Sequence, residues 1–265
     1  LVKEDLYMVG KGVTYDTGGV DVKTNGIMVG MSRDKCGAAA MAGFMATVAH
    51  LKPEHLNVTV KLAMVRNSIG SAGYVPDELL TGRSGIRVRV GNTDAEGRMA
   101  MADVLCEVKE MALAKGDLSK ARLFTCATLT GHAALSVGAY PIAMDNRPAG
   151  RANIARSLFE AGHVSGDPFE VSIVRKDDFK VIEPKHNGYD VEQIIMGAKR
   201  VRGHQYPGAF LQVVSGLDKC GLNSDTPLPY THLDIAGVME EGDTLRPTGI
   251  PIVSLAARFI RRIAV

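Results

Sequence analysis

Ile86-Arg87-Val88-Arg89-Val90-Gly91-Asn92-Thr93-Asp94-Ala95-Glu96-Gly97-Arg98 decides how this chain is read. Apolar and charged residues alternate over 86–90, the period of a half-buried strand. Beyond it, Met101, Val104, Leu105, Val108, Met111 and Ala112 recur at helical spacing, which predicts a helix over 99–114. Strand, charged link and helix make one β-then-α unit. If the strand stays extended past Val90, Asp94, Glu96 and Arg98 point to one side. Two carboxylates on one side repel each other unless something positive lies between them, and hard divalent cations do this through oxygen ligands. The arginine is then free to hold an anion or a developing negative charge. Taken alone, the triplet also fits a solvated strand end with its charges in water.

The same alternation extends outward. Leu6–Val9 reads as a buried strand closed by Gly10. Residues 10–33 are rich in glycine, with Gly10, Gly12, Gly18, Gly19, Gly26 and Gly30, and read as a long loop of the kind that is usually functional. Helices are expected over 37–46, 151–161, 210–217 and 252–263. Further strands are expected over 57–65, 121–127 and 232–235. Residues 163–208 are polar, with scattered Gly and Pro, and read as an excursion over the surface. Strands alternating with helices predict an α/β fold with a mostly parallel central sheet flanked by helices, and a site at the carboxyl ends of its strands.

The 265 residues are 46% hydrophobic and 23% charged, enough for an ample core in one large domain or two small ones. A net charge of +2 argues against nucleic acid or an acidic membrane surface as partner. No apolar run approaches a bilayer span, and no signal peptide opens the sequence. Cys36, Cys106, Cys126 and Cys220 form no C-x-x-C pair and read as reduced thiols of a cytoplasmic protein. The sequence opens on Leu1, almost directly on a strand, so it is expected to be one domain, 1–265, of a longer protein.

A second charged constellation lies in the glycine-rich loop: Lys11, Asp16, Lys23 and Asp34. Its bland reading is a set of solvated loop charges. The phosphate-cradling G-x-x-x-x-G-K-[ST] pattern is missing. Asp16, Asp34, Asp94 and Glu96 together are enough to bridge two divalent ions, a site that polarises a carbonyl and acidifies a water. H-E-x-x-H is absent and the seven histidines are dispersed, His132 alone being placed near the site. No G-x-S-x-G elbow appears, and Cys36 has no identifiable base, so it reads as a small packing residue.

Val9-Gly10-Lys11-Gly12-Val13-Thr14-Tyr15-Asp16-Thr17-Gly18-Gly19, Asn92 to Arg98, Ala127-Thr128-Leu129-Thr130-Gly131 and His232-Leu233-Asp234-Ile235-Ala236-Gly237 resemble the catalytic domain of the leucine aminopeptidase (cytosol aminopeptidase) family. The resemblance spans nearly the whole chain, and Asn-Thr-Asp-Ala-Glu-Gly-Arg is a highly specific signature. Arg66-Asn67-Ser68-Ile69-Gly70 and Arg87–Val90 look most like the NPEPL-like branch of animals.

The resemblance implies a two-metal aminopeptidase that removes the N-terminal residue of peptides through a metal-bridged hydroxide. One metal would be held by Asp16, Asp94 and Glu96, the other by Lys11, Asp16, Asp34 and Glu96, with Lys11 as a neutral amine. The ions would be zinc or manganese, with magnesium also compatible. Lys23 would polarise the scissile carbonyl. Arg98 would hold a bicarbonate acting as general base, cradled by Ala95, Gly97 and Leu129. Met31, Thr128, Ala236 and Met239 would line the primary specificity pocket. The resemblance also implies a homo-hexamer whose separate N-terminal domain lies outside this sequence. One departure stands out. Met31-Ser32-Arg33-Asp34-Lys35-Cys36-Gly37 replaces the usual Met-Lys-x-Asp-Met-Gly-Gly, putting a lysine beside a metal ligand. Two other classes stay open at this stage: a low-activity binding or scaffold protein on the same fold, and a two-metal phosphatase or nuclease.

Overall fold

The computed structural model describes residues 2–194, 201–240 and 246–261. A six-stranded sheet runs through its centre. Its strands are β1 (Glu4–Asp16), β2 (Leu56–Asn67), β5 (Ala121–Ala127), β6 (Ile142–Asp145), β7 (Glu170–Ile173) and β9 (Tyr230–Asp234), in the order β2-β1-β5-β9-β6-β7. Every pairing is parallel except β6 against β9. The expected mostly parallel α/β sheet is therefore what forms. A second, three-stranded sheet contains β3 (Leu79–Thr81), β4 (Arg87–Arg89) and β8 (Val191–Glu192).

Alternation along β1 explains the layering. Leu6 and Met8 face one core with Phe44, Phe124, Leu233 and Phe259, while Tyr7 and Val9 face the other with Met101, Leu105, Leu123 and Phe210. Helix α1 (Cys36–Leu51) covers the first face. Helices α2 (Glu96–Lys115) and α7 (Gln205–Val214) cover the second. Gly10 makes the approach of α1 possible, since a Cβ there would lie 2.6 Å from Ala38 Cα and 2.7 Å from the Gly37 carbonyl. The remaining helices are α3 (Gly131–Val137), α4 (Arg147–Arg151), α5 (Ile154–Ser165), α6 (Lys176–Lys180) and α8 (Ile252–Leu255), the last continuing as a wider π turn to Arg261. The final residues of the closing helix expected over 252–263 lie outside the described residues.

Several expectations need correction. Gly10 does not close the first strand. β1 runs on through Lys11 and Gly12 to Asp16, because β2 pairs with it as far as Asp16↔Asn67. The first residues of the supposed loop are thus ladder residues. Residues 163–208 are not only a surface excursion, since β7 forms the sheet edge beside β6, and β8 pairs with β4. Short strands in polar segments carry little periodic signal, so their partners define them. The 86–90 strand does form, but as three residues of the small sheet rather than of the central one.

Candidate metal centre

Lys11 and Asp16 stand on the last part of β1, Asp34 follows a 3-10 turn (Met31–Arg33), and Glu96 opens α2. Lys11 Nζ lies 2.9 Å from Asp34 Oδ2 and 2.8 Å from Glu96 Oε1, and donates to the Thr128 carbonyl at 3.0 Å. Thr128 follows β5 directly, and its hydroxyl donates to Asp34 Oδ1 at 2.6 Å. Four segments thus meet around one buried ammonium. Gly97 admits it: a Cβ there would lie 2.5 Å from Lys11 Cε and 2.7 Å from Nζ.

Beyond Asp16 the backbone turns back through Gly18 and Gly19, at φ +88° and +68°, where a side chain would be strained. This return brings Lys23 to Asp16 Oδ2 at 2.9 Å and into an ion pair with Asp94. Asp16 Oδ1 accepts from the Gly18 amide at 2.9 Å and from Asn67 Nδ2 at 2.8 Å. Asn67 also donates to the Thr93 carbonyl at 3.0 Å and reaches Glu96 Oε2 at 3.5 Å. Thr93 closes the return loop: its hydroxyl donates to Gly18 O at 2.5 Å, and its amide to Asp21 Oδ2 at 2.7 Å.

The link from β4 to α2 does not stay extended. The Asn92 side chain accepts from the Asp94 amide at 2.7 Å and starts a 3-10 turn over Thr93–Ala95, which runs straight into α2. The helix therefore begins at Glu96, three residues before its expected start. Asp94, Glu96 and Arg98 are brought to the centre by a turn and a first helical turn, not by strand alternation. Carboxylates here also suit the positive end of the helix.

Burial dominates the electrostatics. It raises Asp34 to about 7 against the pull of Lys11, and raises Asp94 to about 6 against the pull of Lys23. Burial also works against the charge on Lys11, but the Glu96 and Asp34 carboxylates outweigh it and hold its pKa above the ordinary lysine value. Burial lowers Arg98 to about 10, opposed by Glu96 and Asp234. The Arg98 guanidinium lies 5.8 Å from the Phe210 ring, donates through Nη1 to the Gln193 carbonyl at 2.9 Å, and leaves Nε without a hydrogen-bond partner among the described residues.

The donor set suits divalent cations. Asp16, Asp94 and Glu96 each offer an oxygen within 4.8 Å of the others. Asp34 Oδ2 and Asp94 Oδ1 are shielded from water; each pairs with an ammonium group and accepts no well-directed hydrogen bond among the described residues. Four carboxylates face the ammonium groups of Lys11 and Lys23, so negative charge is in excess.

The other expected residues divide. Thr128 is buried and committed to Asp34 and Lys11. Met31 and Met239 are half-buried on two segments tied together by the Arg33–Glu240 ion pair at 2.9 Å, and the Ala236 amide donates to Asp234 at 3.1 Å. The Leu129 amide, expected to cradle an anion, donates to Asp234 Oδ1 at 3.3 Å, and Leu129 packs against Gly97. Ala95 uses its carbonyl to accept from Gln193 Nε2 at 3.1 Å. His132 is exposed on α3. The buried histidine that feels Arg98 is His232, with Nδ1 2.7 Å from Thr125 Oγ1. Lys35 turns away from the carboxylates to the carbonyls of Thr14, at 3.3 Å, and Ser32. Cys36 is half-buried and its thiol is pushed up by burial, as suits a packing residue. The sequence reading missed Asn67 and Gln193 as supports of the cluster. Asn67 could have been found as the polar residue that ends an apolar strand; Gln193, in a polar stretch, gave no signal.

The profile of the cytosol aminopeptidase family, catalytic domain, matches residues 2–256. The chain belongs to this family. It is 42% identical over 260 residues to a Caenorhabditis elegans protein named "Putative aminopeptidase W07G4.4", covering 97% of this chain and 49% of that protein. Two bacterial proteins named "Probable cytosol aminopeptidase" also match. That of Persephonella marina is 29% identical over 241 residues and that of Chlamydia muridarum 33% over 237, each covering 89% of this chain and 42% of the relative. The chain therefore spans about half the length of the curated relatives it matches. Among the described residues, no helix of this cytosol aminopeptidase family member is long and apolar enough to cross a membrane.

Proposed function

We propose that residues 1–265 form the catalytic domain of a two-metal aminopeptidase acting on peptides with a free N-terminus. The observation that carries this reading is the convergence of Asp16, Asp94 and Glu96 oxygens within 4.8 Å of one another, beside Asp34, Lys11 and Lys23. Asp16, Asp94 and Glu96 would hold one ion, and Lys11, Asp16, Asp34 and Glu96 would hold the other. Zinc or manganese fits this hard, partly nitrogenous set, and magnesium is compatible with it. When bound, the two ions supply Lewis acidity and an acidified water.

The chain's own residues do the rest. Lys23 donates to the scissile carbonyl and stabilises its developing negative charge. Arg98, whose Nε has no partner among the described residues, holds a bicarbonate that acts as the general base. Met31, Thr128, Ala236 and Met239 flank the side chain of the substrate's first residue. Lys11 would serve as a ligand only as a neutral amine, its proton passing to solvent as a cation takes its place between the Asp34 and Glu96 carboxylates. A cytoplasmic homo-hexamer belongs to the same reading.

The test is hydrolysis of aminoacyl amides by the metal-loaded protein, before and after chelation and with each ion restored, alongside a phosphoester control. Turnover should vanish on chelation and return with metal. A protein with metal bound that turns over no aminoacyl substrate would refute the proposal, and phosphoester turnover would move it to another class.

A further inference from the structure

Gln193 is wholly buried, at 0% exposure, although it lies in a polar stretch of sequence. Its side-chain Oε1 accepts from the amides of both Gly91 and Asn92, each at 3.0 Å. Its Nε2 donates to the Ala95 carbonyl at 3.1 Å. Its main-chain carbonyl accepts from Arg98 Nη1 at 2.9 Å, and its amide donates to Arg89 O at 3.0 Å. One residue thus holds the entry, the exit and the arginine of the turn that carries Asp94 and Glu96.

From these contacts we infer that Gln193 is a positioning residue for the carboxylate cluster, fixing the turn that presents Asp94 and Glu96 and aiming Arg98. The inference rests on the aminopeptidase reading above and goes beyond it. A primary amide is the side chain that does this, because it offers an acceptor at one end and a donor at the other. A glutamate would keep the acceptor for Gly91 and Asn92 but set a carboxylate oxygen against the Ala95 carbonyl. A methionine would fill the same space but take away, far from water, the side-chain acceptor of two amides and the side-chain donor to one carbonyl.

The small sheet delivers this residue. β8 pairs with β4 through Val88↔Val191 and Arg89↔Glu192, and Gln193 is the next residue along. Glu192 is fastened by Arg89 at 3.2 Å and by the Tyr189 hydroxyl. Thr93 in the same turn is held from elsewhere, by Asn67 of the central sheet on its carbonyl and by Gly18 and Asp21 of the return loop. Gln193 therefore clamps the side of the turn that the central sheet does not reach. A shift of about 1 Å at such a turn is enough to cost roughly 100-fold in rate.

The test compares the full-length protein with its Gln193→Met, Gln193→Glu and Gln193→Asn variants. Zinc and manganese affinity is read by titration calorimetry, kcat and KM on an aminoacyl amide, and thermal stability by unfolding. Loss of such a support typically weakens metal binding by about 10–100-fold. That loss is expected in Gln193→Met, with kcat falling and KM nearly unchanged. Gln193→Glu should be intermediate, because it keeps the acceptor for Gly91 and Asn92. Gln193→Asn keeps the amide but withdraws it by one methylene, and should also weaken metal binding. It keeps the test decisive if the methionine variant does not fold. Lowered stability with metal affinity and kcat of the folded protein unchanged would make Gln193 a packing residue only and overturn the inference. If the wild type binds metal but cleaves no aminoacyl substrate, the aminopeptidase reading fails while the metal titrations still judge Gln193.

Discussion

The two halves of the carboxylate cluster are held in different ways. Lys11 and Asp16 ride on β1, which is hydrogen-bonded to β2 on one side and β5 on the other. Asp94, Glu96 and Arg98 ride on a turn and the first turn of α2, after a strand of only three residues in a separate sheet. The first half is positioned by a main-chain ladder. The second is positioned by side-chain amides, those of Asn67, Asn92 and Gln193. A ladder fails only when the sheet fails, whereas a side-chain clamp can be removed while the core stays intact. Activity should therefore be removable without stability in the second half, and in the first be lost only as the fold is lost.

The largest expected effect is at Gly97, where the halves touch. Gly97→Ala drives a methyl into Lys11, 2.5 Å from its Cε. Its kcat/KM on an aminoacyl amide should fall by roughly 100-fold, the upper range for disturbing a ligand's surroundings. Activity within twofold of wild type would show that Lys11 and α2 do not meet as described. Gly10→Ala is the matching change in the ladder half. Its Cβ meets only backbone of α1, so it should cost about 1–3 kcal/mol in denaturant unfolding and leave kcat of the folded protein nearly unaltered. Activity lost with stability intact would break the comparison.

His232 probes the sheet beside Arg98. Burial first, then Arg98 and His204, lowers its pKa from 6.5 to about 3. Between those values the unfolded chain binds a proton that the native state does not. This group therefore removes stability as pH falls, by up to about 1.4 kcal/mol per pH unit, and contributes nothing above pH 6.5. His232→Phe should flatten the loss of unfolding free energy between pH 7 and pH 5, and an unchanged slope would contradict a neutral buried imidazole. The smallest effect is at Asn92. Asn92→Ala removes the cap on the Asp94 amide and should cost about 1 kcal/mol, yet weaken metal binding more than Gly10→Ala does. The reverse ranking would place the turn's rigidity elsewhere.

Legibility in the sequence followed the range of the forces involved. The strand over 121–127 could be read residue for residue, because a run buried on both faces is mostly apolar, with Arg122 and Thr125 as its polar members. The strand β1 could be read only in part. Gly10 and Gly12 look like loop punctuation, and only the closeness of α1 and β2 shows that they are ladder residues under tight packing. β7 and β8 were illegible, being a few residues each in polar surroundings. The charged residues that converge were all visible as charges in motifs. Asn67 was marked only as the polar end of an apolar strand and Gln193 not at all, because a neutral amide carries no mark of the partners it will meet.

What the sequence determined by itself is the chemical content of the centre. Asp16, Asp34, Asp94, Glu96, Lys11, Lys23 and Arg98 stand in motifs whose charges supply a cation-binding set once brought together, and the alternation of strands and helices sets the fold class that can do so. Residue type and spacing are local properties, and carboxylate repulsion is the same wherever those groups meet. Only the tertiary structure decided how they meet. It turned the link at Asn92 into a helix start, made Gly97 the seat of Lys11, turned Lys35 aside, and brought Gln193 from the far small sheet to hold Arg98. Each of these depends on contacts between segments distant in sequence, whose geometry is fixed by packing and hydrogen bonds that no local pattern encodes.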